Sequence, residues 1–230
     1  VSGTGTVDLG IGSTNAGGAY LYLDGDSNGD FSGSDYSYIG HDNSGQLLIH
    51  QDSPSGSDNI LLKTNGSTRW TLNSSGNLFP ASTSQGIVLG ATSDTAANRL
   101  DDYEEGTWTP TFPAGGTVGT IYQAEYTKIG RMVYVGAYFV VSAITNNSST
   151  FVIGGLPFTV KASNYHGAGS ITYTKDFSWD STGAFQAPTP QQGNTQVYFH
   201  RSDGTAATVL QNAVQGLVSK EFIFATVYLT

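Results

Sequence analysis

Cysteine is absent from the chain, which excludes disulfide bonds and metal sites built on thiolates. Charged side chains are also scarce, at 12% of the residues, and no uninterrupted apolar run approaches the roughly 18 to 20 residues of a membrane-spanning helix. The N-terminus has neither the basic region nor the apolar region of a signal peptide. Because residue 1 is Val rather than Met, we expect the chain to be a fragment or a processed product.

Basic residues are the rarer charged type, with nine Lys and Arg against eighteen Asp and Glu. Residues 1–103 contain three basic residues against eleven Asp, a net charge of −8, whereas residues 104–230 contain six against seven, a net charge of −1. Phosphate backbones and anionic lipid surfaces repel such a chain, so we expect neither nucleic-acid binding nor membrane insertion. Cations are the partners that this acidity favours.

Glycine is abundant, with 30 residues, and short apolar strings recur between turn signals in the first half of the chain. The strings are Tyr20–Leu23, Tyr36–Ile39, Gln46–Ile49, Asn59–Lys63 and Arg69–Leu72. Separators such as Thr-Asn-Gly-Ser are typical of tight hairpins, so the pattern predicts a meander of short strands. Each strand has too few apolar side chains to offset a chain entropy of about 1 to 2 kcal/mol per residue. Copies of the same chain are the simplest source of the missing apolar surface, in a closed arrangement without free sheet edges.

Longer strands, rich in aromatic and β-branched residues, are predicted in the second half. They are Thr120–Lys128, Arg131–Ser142, Thr150–Ile153, Ser170–Phe177, Gln196–His200 and Glu221–Leu229. Both alternating faces of Arg131–Ser142 are largely apolar, which predicts burial on both faces, and the same pattern in the last strand predicts a C-terminus inside the sheet. The number of strands favours an antiparallel β-sandwich of the jelly-roll type. Ala206–Val218 is the one segment with helical character.

The junction between the halves carries a distinctive run, Leu100-Asp-Asp-Tyr-Glu-Glu-Gly-Thr-Trp-Thr-Pro110, preceded by Gln85-Gly-Ile-Val-Leu-Gly90 and followed by Tyr126-Thr-Lys-Ile-Gly-Arg-Met-Val-Tyr-Val135. These segments resemble the shaft-to-head junction of bacteriophage tail fibres, receptor-binding fibre proteins of the type seen in phages of aquatic bacteria. The resemblance implies a homotrimer in the extracellular virion, joined to other virion tail proteins through an N-terminal part that precedes this sequence.

Residues and resemblance together predict an all-β chain in three parts. Residues 1–99 form an elongated, intertwined β-meander shaft, residues 100–110 form a neck, and residues 111–230 form a jelly-roll-like β-sandwich head. The resemblance implies attachment to the host bacterial surface, by non-catalytic binding of a cell-surface glycan such as a polysaccharide or lipopolysaccharide. Two alternatives stay open: a purely structural virion fibre or capsid decoration protein, and a polysaccharide-degrading tailspike enzyme.

An acidic loop in the first half resembles the template of a calcium-binding loop. Oxygen-bearing side chains occupy template positions 1, 3, 5, 7, 9 and 12, with Gly at position 6. These candidate ligands are Asp24, Asp26, Asn28, Asp30, Ser32 and Asp35. The Asp at position 12 is shorter than the usual Glu, and strands rather than helices flank the loop. The alternative to a calcium ion is therefore a solvated hairpin turn.

No catalytic motif is convincing. Ser27 lies in a G-x-S-x-G pattern, but inside an acidic turn without the helix that a nucleophile elbow needs. The carboxylate pairs Asp101/Asp102 and Glu104/Glu105 are neighbours on an extended strand, so their side chains are expected on opposite faces rather than across a cleft. The four His residues show no metal-ligand spacing, and we expect no enzyme.

A receptor-binding surface is predicted on the longest irregular connection of the head, residues 176–194. Sugar recognition needs an aromatic face beside amide or carboxylate groups, and this segment is rich in both. The candidates there are Trp179, Asp180, Phe185, Gln191, Gln192 and Asn194, with Tyr165, His166 and Arg201 as weaker candidates elsewhere. The alternative for Trp179 is that its side chain closes the core.

Overall fold

The computed structural model describes residues 10–14, 17–24, 33, 35–53, 58–162, 167–175, 186–201, 208–209 and 211–230. The chain divides into two compact units, Val1–Ile87 and Val88–Thr230. Both units are built from antiparallel sheets, so the predicted all-β class is confirmed. Among the described residues, the only helices are two short 3-10 helices, Ala96–Asn98 and Gln211–Leu217.

The first unit contains two three-stranded sheets. Its described strands are β1 (Ala19–Asp24), β2 (Tyr36–His41), β3 (Leu47–Gln51), β4 (Ile60–Thr64), β5 (Ser67–Leu72) and β6 (Leu78–Pro80). Strands β1 to β3 form sheet A and strands β4 to β6 form sheet B, each in chain order. Asn65 and Gly66 close the β4–β5 hairpin with positive φ angles of 49° and 73°, as the Asn-Gly signal predicts. The predicted meander of short strands is therefore confirmed.

One face of each of these sheets is aliphatic. The side chains aligned across the strands are Leu21, Leu23, Ile39, Leu47 and Ile49 in sheet A and Ile60, Leu62, Leu72 and Leu78 in sheet B. We call this set the aliphatic face. Six of its members, two from sheet A and four from sheet B, line an open groove of about 350 Å³. The opposite face of sheet A is aromatic, with the Tyr38 ring stacked on His50 at a centroid distance of 4.6 Å.

The described residues of the first unit do not enclose a hydrophobic core. Only Gly40 and Thr71 among them are buried. On the aliphatic face, the Leu47 side chain is 71% exposed and Ile49 is 58% exposed. Small sheets need a covered apolar face to be stable. The first unit therefore presents apolar faces that its own described residues leave open to solvent.

The second unit is larger and has a core. Its strands, with one that straddles the boundary, are β7 (Ile87–Val88), β8 (Arg99–Leu100), β9 (Tyr103–Thr107), β10 (Gly116–Ile129), β11 (Met132–Ile144), β12 (Val152–Gly154), β13 (Ala168–Thr174), β14 (Gln186–Pro190), β15 (Gln196–Arg201) and β16 (Lys220–Leu229). A five-stranded sheet has the order β13-β16-β11-β10-β9, a three-stranded sheet has the order β12-β15-β14, and β7 pairs with β8.

The core lies between the five-stranded and three-stranded sheets. The Phe199 ring of β15 packs against Phe222 and Phe224 of β16 at centroid distances of 5.8 and 5.9 Å, and all three side chains are fully buried. Phe151, before β12, packs against Phe222 at 6.3 Å. Every buried hydrophobic side chain among the described residues lies at or after Trp108. The described hydrophobic core therefore belongs to the second unit.

Strand β11 differs from its prediction. Val133 and Val135 are fully buried, but Met132 is 48% exposed and Tyr134 is 49% exposed, so the prediction of burial on both faces is wrong. The physical reason is that the three-stranded sheet covers one face of the five-stranded sheet, while no described element covers the other. Strand β16 does lie inside the sheet, between β13 and β11, which confirms the expectation for the C-terminal strand.

Three segments also differ in detail from the sequence-based expectations. Part of the region predicted as irregular is strand β14, whose two prolines are tolerated because it is an edge strand. The segment with helical character contains a 3-10 helix from Gln211, and Thr208 forms a β-bridge with His200. Strand β9, inside the expected neck, pairs with β10 as a strand of the second unit.

Candidate functional site

The outer face of the five-stranded sheet, the face turned away from the core, carries an unusual set of side chains. Along β11 the residues that point outward include Tyr134, Gly136 and Tyr138, while the alternate residues are buried. The indole Nε1 of Trp108 donates to the carbonyl oxygen of Gly136 at 3.2 Å, which holds the middle of the strand from the core side. Two tyrosines therefore flank a glycine on an exposed face.

The strand register extends this pattern into a row across the whole sheet. Side by side on the outer face lie Thr107 of β9, Glu125 of β10, Gly136 of β11, Ala225 of β16 and Ser170 of β13. We call this row the trough, because its members are small or polar and it runs between rows that contain Tyr134 on one side and Tyr138 on the other. The trough is a shallow depression with aromatic walls.

Two hollows lie along the trough. The first, of about 460 Å³, is lined by Glu105, Gly106, Thr107, Glu125, Tyr126, Thr127 and Tyr134. The second, of about 190 Å³, is lined by Gln123, Glu125, Tyr134, Gly136, Ala137, Tyr138, Thr172, Ile223, Phe224 and Ala225. The hollows share Glu125 and Tyr134, and no Lys, Arg or His is among the lining residues that the structure describes. Their charged groups are all carboxylates.

Each of the two carboxylates in the hollows has a hydrogen-bond partner on one of its two oxygens. The Gln123 amide donates to Oε2 of Glu125 at 2.9 Å, and the Tyr103 hydroxyl donates to Oε1 of Glu105. The bond to Glu105 raises the pKa of Tyr103, because the carboxylate favours the protonated phenol. Among the described residues, the second oxygen of each carboxylate is left to accept a hydrogen bond from another molecule.

Tyr138 is held rigidly at the edge of the trough. Its hydroxyl donates to Oε2 of Glu221 at 2.9 Å, and this hydrogen bond raises the pKa of the phenol, with burial adding to the effect. The neighbouring Tyr122 ring lies at a centroid distance of 4.5 Å, and Lys175 pairs with the other oxygen of Glu221 at 3.4 Å. The ring is therefore positioned before any ligand arrives.

The structure separates the predicted receptor-binding residues that it describes. Gln191, Gln192 and Asn194 lie in the turn between β14 and β15, where Asn194 N–H donates to the Gln191 carbonyl oxygen at 3.1 Å. The Oε1 atom of Gln192 is buried, and no described residue gives it a hydrogen bond. Arg201 lies at the far end of β15, about 17 Å along the strand from its start. The structure therefore does not bring Arg201 together with the turn.

Of the other predicted site residues, only Asp24 and Asp35 are among the described residues, and the rest lie outside them. The residues outside the described part of the chain are Trp179, Asp180, Phe185, Tyr165 and His166 of the predicted receptor surface, and Asp26, Asn28, Asp30 and Ser32 of the predicted calcium loop. Asp24 ends β1 and Asp35 precedes β2, so the calcium loop connects these two paired strands. Within the part of the chain that the structure describes, no cluster of three or more His, Asp or Glu could hold a metal ion.

The carboxylates of the junction point to opposite faces, as their spacing predicts. Glu104 accepts a hydrogen bond from the Tyr126 hydroxyl, whereas Glu105 lines the outer hollow. Asp102 pairs with the buried Lys128, and Asp101 lies 3.7 Å from Arg99. Sequence neighbours therefore do not form a carboxylate pair across a cleft.

Sequence reasoning missed the trough. A local signal existed, because both Tyr residues and the Gly of β11 point outward, whereas the buried residues of the strand are Val, Ala, Phe and Ile. Tyrosine carries a hydroxyl that prefers contact with water, so its restriction to one parity indicates an exposed face. Glu125 could be added only through the register of the β10–β11 hairpin, and Ala225 and Ser170 could not be added from sequence, because they lie on strands far from β11 in the chain.

Comparison with protein-family models, with curated proteins and with solved structures finds no match for this chain. Within the described residues, no helix is long and apolar enough to cross a membrane.

Proposed function

We propose that this chain is part of a homotrimeric bacteriophage tail fibre, whose first unit belongs to the shaft and whose second unit is a jelly-roll-type head. The fibre attaches the virion to the host bacterial surface by non-catalytic binding of a cell-surface glycan. Other virion tail proteins are its partners in the virion. The observation that carries the proposal is the contrast between a first unit whose described residues enclose no core and a second unit that has one.

The magnitude of the exposed apolar surface supports self-association. Eight members of the aliphatic face are between 36% and 71% exposed, which together equals about four fully exposed Leu side chains. Burying these would contribute roughly 6 to 12 kcal/mol per chain, at about 1.5 to 3 kcal/mol for each side chain. That is as large as the whole stability of a typical domain, about 5 to 15 kcal/mol. The number three comes from the resemblance to tail fibres.

The aliphatic face can be tested with a matched pair of variants on β4. Leu62 is 55% exposed and lines the groove, whereas Leu61 is 44% exposed and lies opposite Thr71 on the other face of the sheet. We expect the wild-type chain to sediment as a trimer, Leu62→Glu to dissociate it to monomers, and Leu61→Glu to leave it intact. A monomeric wild-type chain at micromolar concentration would contradict the proposal.

Attachment itself is tested by binding of the intact trimer to host cells and to purified bacterial surface polysaccharides. Retention on one of these surfaces supports the receptor-binding function. No retention on any of them would favour the alternative of a purely structural virion protein.

One observation favours a hydrolytic alternative. Glu105 and Glu125 point into the same hollow from neighbouring strands, as diagonal neighbours in the register. Glycosidases likewise place two carboxyl groups at one site, on either side of the bond that is cleaved. The test is whether the protein releases reducing sugar ends from a bound polysaccharide. If it does, and if Glu125→Gln abolishes this release, the protein is a depolymerase and not a non-catalytic attachment protein.

A further inference from the structure

We propose that the trough of the second unit binds the pyranose ring of an uncharged sugar. The inference rests on the proposed function, because the sugar would be a residue of the cell-surface glycan. It assigns binding to the outer face of the five-stranded sheet rather than to the turns and loops that the sequence pointed to.

The shape of the trough suits a flat, partly apolar ligand. Its floor at the centre is Gly136 beside Ala225, which have little or no side chain, whereas the rows on either side hold Tyr134 and Tyr138. A Cβ built on Gly136 would lie 3.5 Å from the Tyr134 hydroxyl, so the end of the phenol borders the glycine at the floor. The C–H face of a pyranose can pack on such rings while its edge enters the hollow.

The polar groups of the trough match sugar hydroxyls. Glu105 and Glu125 each have an oxygen available to accept from a hydroxyl, and Thr107 and Ser170 add their own hydroxyls at the ends of the row. The Tyr138 ring is already fixed by Glu221, so little side-chain entropy would be lost on binding. A few placed polar groups in a mainly apolar site are characteristic of small-molecule recognition.

The charge of the hollows selects against two other occupants. Because the described lining residues include carboxylates and no basic side chain, an anionic sugar such as a uronic acid would be repelled. The same face of a second copy would bring carboxylates against carboxylates, and burying unpaired charges is strongly unfavourable. An uncharged pyranose is neither repelled by the carboxylates nor itself a source of buried unpaired charge.

The test uses the full chain and a panel of methyl pyranosides of glucose, galactose, mannose and N-acetylglucosamine, with methyl glucuronide as the anionic counterpart. Binding is measured by saturation-transfer NMR and calorimetry. We expect at least one neutral pyranoside to bind, and methyl glucuronide to bind at least about tenfold more weakly.

Three variants locate the site. Gly136→Ala should fold normally, because its φ is not positive and the nearest contact of the added Cβ is at 3.5 Å, yet it fills the floor of the trough. We expect Gly136→Ala and Tyr134→Ala each to weaken binding about tenfold, through loss of space and of ring contact. Met132→Ala is the matched control, because Met132 lies outward on the same strand but lines neither hollow.

Each outcome is decisive. Loss of pyranoside binding in Gly136→Ala and Tyr134→Ala, with Met132→Ala unchanged, supports the trough. Binding that survives both variants, equal binding of methyl glucuronide, or no binding of any neutral pyranoside would overturn it. Polysaccharide retention by the Tyr134→Ala trimer would leave the attachment function standing without this site. If the Tyr134→Ala chain no longer forms a trimer, the outer face is a subunit interface and not a sugar site.

Discussion

Removing the carboxylate of Asp102 should destabilise the second unit by leaving a buried ammonium group unpaired. The Lys128 side chain is 8% exposed, its Nζ pairs with Oδ2 of Asp102, and it lies 5.4 Å from the centroid of the Phe158 ring. Deleting one partner of a buried ion pair costs about 3 to 5 kcal/mol. Because the Asp102 side chain is 48% exposed and water reaches the pair from that side, we expect Asp102→Asn to cost about 3 kcal/mol.

This loss corresponds to a fall in Tm of about 6 to 12 °C for a unit of this size, measured by calorimetry or by circular dichroism. Asp101→Asn is the matched control, because Arg99 keeps its 2.6 Å contact with Asp94, and we expect a cost of less than about 1 kcal/mol. Adding Lys128→Met to Asp102→Asn removes the buried charge and should restore most of the stability. Equal, small shifts in both Asn variants would refute the reasoning, as would a double variant that remains as unstable as Asp102→Asn.

Three further predictions concern the core and the backbone of the second unit. Phe222→Ala, at the centre of the fully buried rings, should lower the free energy of unfolding by about 3 to 5 kcal/mol in urea titrations, and Phe222→Leu should cost clearly less. Gly155→Ala should cost at least about 2 kcal/mol, because Gly155 has φ +91° and an added Cβ would lie 2.1 Å from the Thr109 carbonyl oxygen; an unchanged midpoint would contradict this. Burial raises the pKa of Tyr228, so the native state favours its neutral phenol. The contribution of this group to the free energy of unfolding is complete below about pH 10 and is lost as the pH rises further. Tyr228→Phe should therefore reduce the alkaline fall in Tm, measured between about pH 9 and 12.

Strand positions and turns were largely predictable from sequence, because both depend on residues close together in the chain. The alternating strings of the first half became β1 to β5, and Asn65-Gly66 closed a two-residue hairpin. Strand β14 was missed because its two prolines argue against a strand, and only its edge position, which depends on the neighbouring β15, makes them tolerable.

The trough could be predicted only in part. Tyr134, Gly136 and Tyr138 share one strand, so their common face follows from alternation. Whether that face is covered depends on where the second sheet packs, and the sequence-based prediction of burial was wrong for this reason. Glu125 enters the site through the register of the β10–β11 hairpin, which is local, whereas Ala225 enters it from a strand almost 90 residues after Gly136, so its position is not encoded locally.

By itself the sequence determined the all-β class, the hairpin turns, the acidity of the first half and the contrast between a region poor in core residues and one rich in them. These properties follow from composition, alternation and turn chemistry, which act over a few residues. Only the tertiary structure decided which face of each strand is buried and which side chains meet across the sheets. The physical reason is that burial and cross-strand contact depend on strand register and on sheet packing, which join residues far apart in the chain.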